Sequence, residues 1–184
     1  MATCLQEPKQ EYAKNEQSDK AIRVCFVCTG NTCRSPMAAA VANAISKASE
    51  TRCRQKKIPL IEAISAGLYA NAGEPISVHA VEALENAKVA PVQGLDYRVH
   101  TAHTVTSEDV KNSDLLIGLS GGHCMELMMR FPQAAQKIVG MPVPITDPYG
   151  GDLAVYEACL SQITEGVRQL LFSSLTDEKE GMES

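Results

Sequence analysis

Cys28 and Arg34, separated by five residues in Val27-Cys28-Thr29-Gly30-Asn31-Thr32-Cys33-Arg34-Ser35-Pro36, pair a nucleophile with a planar cation. An apolar, strand-like run (residues 21–27) precedes them, and an alanine-rich helical run (36–47) follows. A tight loop between strand and helix turns several backbone N–H groups toward one point, and the helix N-terminus adds more. Such a pocket binds phosphate and favours a thiolate over a thiol. Cys28 would attack phosphorus from its floor. Arg34 would hold two non-bridging oxygens with its fork, and Thr29, Gly30, Asn31, Thr32, Cys33 and Ser35 would complete the phosphate-binding loop. Gly30 can take a positive φ without a Cβ clash, and Asn31 is among the few other residues that tolerate one. The Ser35 hydroxyl can donate to the Cys28 sulfur. Pro36 suits a first helical turn, where a missing N–H costs nothing.

With these residues the chain resembles the low-molecular-weight protein tyrosine phosphatase family, and within it most the protein arginine phosphatase subgroup. The resemblance rests on CTGNTCRSPMA from Cys28 onward, on Ser65-Ala66-Gly67, and on Asp147-Pro148-Tyr149-Gly150-Gly151. It implies a cysteine phosphatase acting on phosphorylated protein substrates, with inorganic phosphate as product.

The chemistry needs a third group, because a leaving oxygen or nitrogen departs poorly without a proton. Asp147 is the candidate general acid. Pro148 biases it away from helix and so helps aim its carboxyl into a cleft. Cys28 would form a phosphocysteine intermediate, and Asp147, once ionised, would activate the water that hydrolyses it. No cofactor or metal is required, since Arg34 and the loop supply the positive field.

Thr32 and Tyr149 are the candidate specificity residues. The resemblance implies a larger apolar side chain at the Thr32 position in tyrosine-directed members, and threonine in arginine phosphatases. A hydroxyl there suits a guanidinium and disfavours a phenyl ring. Tyr149 is expected beside the substrate, with Leu68 and Tyr69 as another wall. Phosphoarginine is thus the expected substrate, with phosphotyrosine as the alternative. Cys33 lies five residues after Cys28 in the same loop and is a candidate redox partner for it. A thiol-dependent arsenate reductase is a further alternative, but residues 119–130 offer its thiol relay only Cys124. A non-catalytic phosphate-binding module would be expected to lack the nucleophile or the acid, and both are present.

Positioning these groups requires alternating strands and helices. Strands are expected over residues 21–27, 60–65, 114–119 and 137–141, and helices over 37–48, 77–88, 121–131 and 153–171, with a short one opened by Thr106 and Asp109. The polar, basic run 49–57 reads as a loop. Val78, Val81 and Leu84 or Ala83 form the expected apolar stripe of one helix, and Val155, Leu160, Ile163, Val167 and Leu170 that of the last. This alternation gives an α/β, single-domain, three-layer sandwich, with a parallel sheet between helical layers; the resemblance makes it four-stranded. Ligands in such sheets bind at the C-terminal strand ends, near a topological switch point.

At 184 residues one domain is expected: residues 21–173, between polar tails over 1–20 and 174–184. A net charge of −5 offers nothing to nucleic acid, and no apolar run suggests a membrane span or signal peptide. Seven cysteines, an odd and scattered set, point to a reducing, cytoplasmic setting. Cys25 and Cys28 form a C-x-x-C, but a zinc site wants a second ligand pair that the sequence does not supply.

Overall fold

The central strand, β1 (Ile22–Cys28), is buried on both sides from Val24 to Cys28, where its apolar residues run without a polar break. Val24, Phe26 and Cys28 enter one core; Cys25 and Val27 enter the other. The C-x-x-C pair is therefore split across the sheet. A computed structural model describes residues 20–176 of the chain. The expected tail over residues 1–20 lies, apart from Lys20, outside the described residues.

β1 pairs in parallel with β2 (Ile61–Gly67) on one side and β3 (Leu115–Gly118) on the other, and β3 pairs in parallel with β4 (Ile138–Gly140). The order is β2-β1-β3-β4, the expected four-stranded parallel sheet. The chain leaves β1 for one flank and later returns to the other, so the topological switch point falls at the C-terminal end of β1. There, Cys28 lies opposite Gly67 of β2.

The Phe26 side of the sheet carries, among others, α1 (Arg34–Ala48), α3 (Val78–Asn86) and α6 (Leu153–Leu171). The other side carries α4 (Ser107–Asn112) and α5 (Gly121–Arg130) through Val110 and Leu127. α1 is buried continuously from Arg34 to Asn43, which its run of small alanines permits. Asn43 exchanges two 2.8 Å hydrogen bonds with the Ala63 backbone, and Ser46 accepts the Ile61 N–H at 2.9 Å. The outer edge of β2 is thereby closed. Thr106 and Asp109 form a reciprocal capping box on α4, as their spacing predicts.

Four expectations need correction. Residues 49–57 are not all loop: Glu50–Lys56 form α2, tied by Glu50 to Lys47 and Arg54 and ended by Lys57 in the left-handed conformation. One buried side chain, Cys53, anchors it, too few for apolar periodicity to reveal. On α3 the buried set is Ala80, Ala83 and Leu84, whereas Val78 is 69% exposed. On α6 Val155 is exposed, and Tyr156 and Cys159 are buried instead. The C-terminal tail does not begin at residue 174: α7 (Ser173–Thr176) follows α6, and Leu175 packs into the main core.

Candidate active site

Between β1 and α1 the backbone makes the tight turn that the sequence requires. The left-handed residue is Asn31, at φ 59°, not Gly30, whose φ is not positive. Asn31 is fully buried, and its side chain explains how it holds that conformation. Its Nδ2 donates to Ser35 Oγ and to Ser65 Oγ, each at 2.9 Å, and its Oδ1 accepts the His103 backbone N–H at 3.1 Å. The Asn31 carbonyl meets His100 Nε2 at 2.9 Å. Burial is the main cause that keeps His100 below the usual imidazole range.

Gly67 shows why a β2 glycine belongs to this site. A Cβ there would meet the Thr29 carbonyl oxygen at 2.8 Å, Ala70 Cβ at 2.9 Å and Asn31 Cβ at 3.1 Å. The loop packs directly on the Gly67 backbone.

α1 begins at Arg34, so its first free N–H groups lie beside the loop. The Cys28 sulfur is 3.0 Å from Ser35 Oγ. Because Asn31 donates to that oxygen, the Ser35 proton is free to point at the sulfur or at the Ala66 carbonyl, 3.3 Å away. Arg34 is nearly buried and reaches across the opening to Asp147, with Nη2 to Oδ2 at 2.5 Å. Asp147 also accepts the Tyr149 N–H at 3.2 Å, an Asx turn that fixes its carboxylate.

These groups surround a cavity of about 290 Å³. Cys28, Thr29, Gly30, Asn31, Thr32, Cys33, Arg34, Asp147 and Tyr149 all line it, together with Tyr69, Asn71 and Glu74. Ser35 does not; it lies behind the loop, fully buried. Cys33 directs its sulfur to the Tyr156 hydroxyl at 3.3 Å, and Ser77 donates to the same hydroxyl at 3.1 Å. Burial, with the Cys33 contact second, pushes the Tyr156 phenol up to about 12. Cys28 and Cys33 are both free thiols.

Tyr69 and Tyr149 are 64% and 81% exposed, so both aromatic walls stand at the mouth. Tyr69 is held firmly: Arg130 stacks over its ring at 4.4 Å, and its hydroxyl donates to Glu126 at 2.9 Å. Arg130 in turn donates to the Leu68 carbonyl at 2.7 Å and to Glu126 at 2.8 Å.

Sequence reasoning missed several residues here. Glu74 shares the cavity from the loop after β2, His100 braces Asn31, and His123 contacts Thr29 Oγ1 at 3.1 Å. The two histidines lie 69 and 94 residues from their partners, so no local spacing marks them.

A family model described as low molecular weight phosphotyrosine protein phosphatase matches residues 23–181. The chain belongs to this family. It is a protein phosphatase of the low-molecular-weight class, a hydrolase whose family chemistry uses a cysteine. The protein-arginine-phosphatase of Geobacillus stearothermophilus is 31% identical over 163 residues, covering 85% of this chain and 98% of that protein. A probable low molecular weight protein-tyrosine-phosphatase, EpsP of Ralstonia nicotianae, is 30% identical over 148 residues, with 78% and 90% covered. Among solved structures, the low molecular weight protein tyrosine phosphatase from T. tengcongensis is 36% identical, with a TM-score of 0.70 over 82% of this chain and 97% of that one. Low-molecular-weight phosphatases bearing both arginine and tyrosine names thus share this fold at similar distance. Among the described residues no helix is long and apolar enough to cross a membrane.

Proposed function

We propose that this phosphatase hydrolyses phosphoarginine in proteins, with Cys28 as nucleophile, Arg34 as phosphoryl anchor and Asp147 as general acid. The observation that carries the arginine reading is Thr32. Thr32 lines the same cavity as the nucleophile, with its hydroxyl 3.6 Å from Cys33 Sγ and its carbonyl fixed by the Ser77 N–H at 2.8 Å. Where a tyrosine-directed site needs an apolar wall, this one presents a hydroxyl. Glu74 and Asp147 also line the cavity, where Arg34 is the one cationic lining residue among the described residues. Negative walls around a positive floor suit a guanidino group that carries a phosphoryl.

The proposed steps use these groups in turn. The incoming phosphoryl group displaces Asp147 from Arg34 and takes the guanidinium and the loop N–H groups as its partners. The Cys28 thiolate attacks phosphorus in line; the P–N bond breaks as Asp147 protonates the departing nitrogen. Water then attacks the phosphocysteine with Asp147 as base. The P–S bond breaks, releasing inorganic phosphate and restoring the thiolate. Cys33 is proposed as the redox partner of Cys28: once a peroxide has oxidised the Cys28 thiolate to the sulfenic acid, the Cys33 thiol leaves Tyr156 and condenses with it, forming the disulfide and releasing water.

A phosphotyrosine reading is favoured by Tyr69 and Tyr149, two exposed rings against which a phenyl group stacks. Arsenate reduction finds no such support: the one thiol of α5, Cys124, turns to the Val139 carbonyl at 3.5 Å.

Turnover of matched phosphoarginine and phosphotyrosine peptides decides between the first two. Wild type is expected to prefer phosphoarginine, and Thr32→Ile to shift kcat/KM toward phosphotyrosine by about tenfold or more, the scale on which a mismatched polar contact discriminates. A wild-type preference for phosphotyrosine overturns the arginine reading. Full activity of Cys28→Ser on both peptides overturns the mechanism.

A further inference from the structure

His123 is a buried, titratable side chain that the steps above leave without work. It sits in the first turn of α5, 6% exposed, and its ring bridges two hydroxyls. Nδ1 is 2.9 Å from Ser120 Oγ, and Nε2 is 3.1 Å from Thr29 Oγ1. Ser120 is the N-cap of α5, and its oxygen also accepts the His123 backbone N–H at 3.3 Å. Thr29 follows the nucleophile directly and lines the cavity.

A neutral imidazole has one donor and one acceptor. Ser120 Oγ already accepts from the backbone, so its own proton is the natural donor to Nδ1. The ring proton then sits on Nε2 and is donated to Thr29 Oγ1. Thr29, a lining residue of the cavity, thus accepts from the histidine and keeps its hydroxyl proton to give. Burial is the first cause that keeps His123 neutral, followed by the charge of Arg34, with Asp147 opposing.

We propose that the Thr29 hydroxyl is a further phosphoryl donor, and that His123, clamped by Ser120, is a positioning residue that turns this hydroxyl into the cavity. The inference rests on the cysteine-phosphatase reading but not on the choice between phosphoarginine and phosphotyrosine, because the hydroxyl acts on the phosphoryl oxygens common to both.

Steady-state kinetics of Thr29→Val, His123→Ala and the double variant test it with both peptides. Each single change is expected to lower kcat about tenfold, the low end for a hydrogen bond to a charged group, with a smaller change in KM and the same loss on both substrates. The double variant should be no slower than the slower single one, since both remove one contact. Thr29→Ser should recover most of the kcat that Thr29→Val loses, since it keeps the donor. Multiplying losses in the double variant, or a Thr29→Val enzyme with wild-type kcat, overturn the proposal. Should His123→Ala fail to fold, the comparison of Thr29→Val with Thr29→Ser decides alone: equal rates refute it. Cys28→Ser, run alongside, separates the two levels. If Cys28→Ser is inactive and Thr29→Val unimpaired, only the Thr29–His123 assignment falls. If Cys28→Ser stays active, the phosphatase mechanism falls with it.

Discussion

Asn31→Ala should separate the stability of the phosphate loop from its chemistry. The side chain makes three hydrogen bonds, to Ser35, Ser65 and the His103 N–H, at 2.9, 2.9 and 3.1 Å. Alanine removes all three at a site with no solvent access. At about 1 kcal/mol net for each, the loss is roughly 3 kcal/mol. Alanine also tolerates φ 59° poorly, which adds about 1 kcal/mol. The sum of ~4 kcal/mol is a large fraction of a typical domain's stability of about 5–15 kcal/mol. It corresponds to a drop in Tm of about 8–16 °C for a domain of this size. Urea denaturation of wild type, Asn31→Ala and Asn31→Gly measures the parts. Glycine loses the same bonds but accepts the positive φ, so it should recover part of the backbone term, less the ordering entropy glycine itself loses. A change below about 1 kcal/mol for Asn31→Ala would show that the buried network does not hold the loop as argued, since even one such bond is worth that much.

Other expectations follow from the same geometry. Gly67→Ala forces a Cβ to within 2.8 Å of the Thr29 carbonyl oxygen; it should destabilise by about 1–3 kcal/mol and slow turnover, and a thermally unchanged, fully active variant would refute the packing argument. His100 and His123 are both held below the ordinary imidazole value of 6.5, chiefly by burial. Below that pH the unfolded chain takes up protons that the folded chain refuses, so stability is full above it and falls as the pH drops. The urea midpoint should therefore decline as the pH falls below about 6.5, with a shallower slope in His100→Gln; a flat profile would contradict it.

Much of this was readable before any coordinates. A strand, C-x5-R-S-P and a helix name their own geometry, because a buried apolar run, a φ-tolerant residue and a proline each restrict the backbone locally. The sheet followed from alternation, and the long last helix from its period. What stayed hidden was non-local or aperiodic. α2 has one buried residue, so charge pairs rather than an apolar stripe stabilise it. Val78 and Val155 fit a helical period yet face solvent, because Ala80, Ala83 and Leu84 fill the core on α3, and Tyr156 and Cys159 on α6. Gly30 looked like the flexible point of the loop, but a buried asparagine with three side-chain bonds outcompetes a glycine that must lose more entropy to be ordered. Glu74 and His123 join the site through loops and a helix far along the chain.

The ion pair between Arg34 and Asp147 makes the resting enzyme its own counter-ion. A nearly buried guanidinium without an anion would be costly, and the carboxylate across the opening fills that place between turnovers. Every phosphorylated guest therefore arrives by exchange rather than by simple addition. In the proposed mechanism a neutral molecule has no charge with which to evict the tenant, however well it fits the walls, whereas a phosphoryl oxygen would both take over the arginine and set the proposed acid free beside the bond to be broken. Admission and arming are one event, so the site discriminates charge before it discriminates shape.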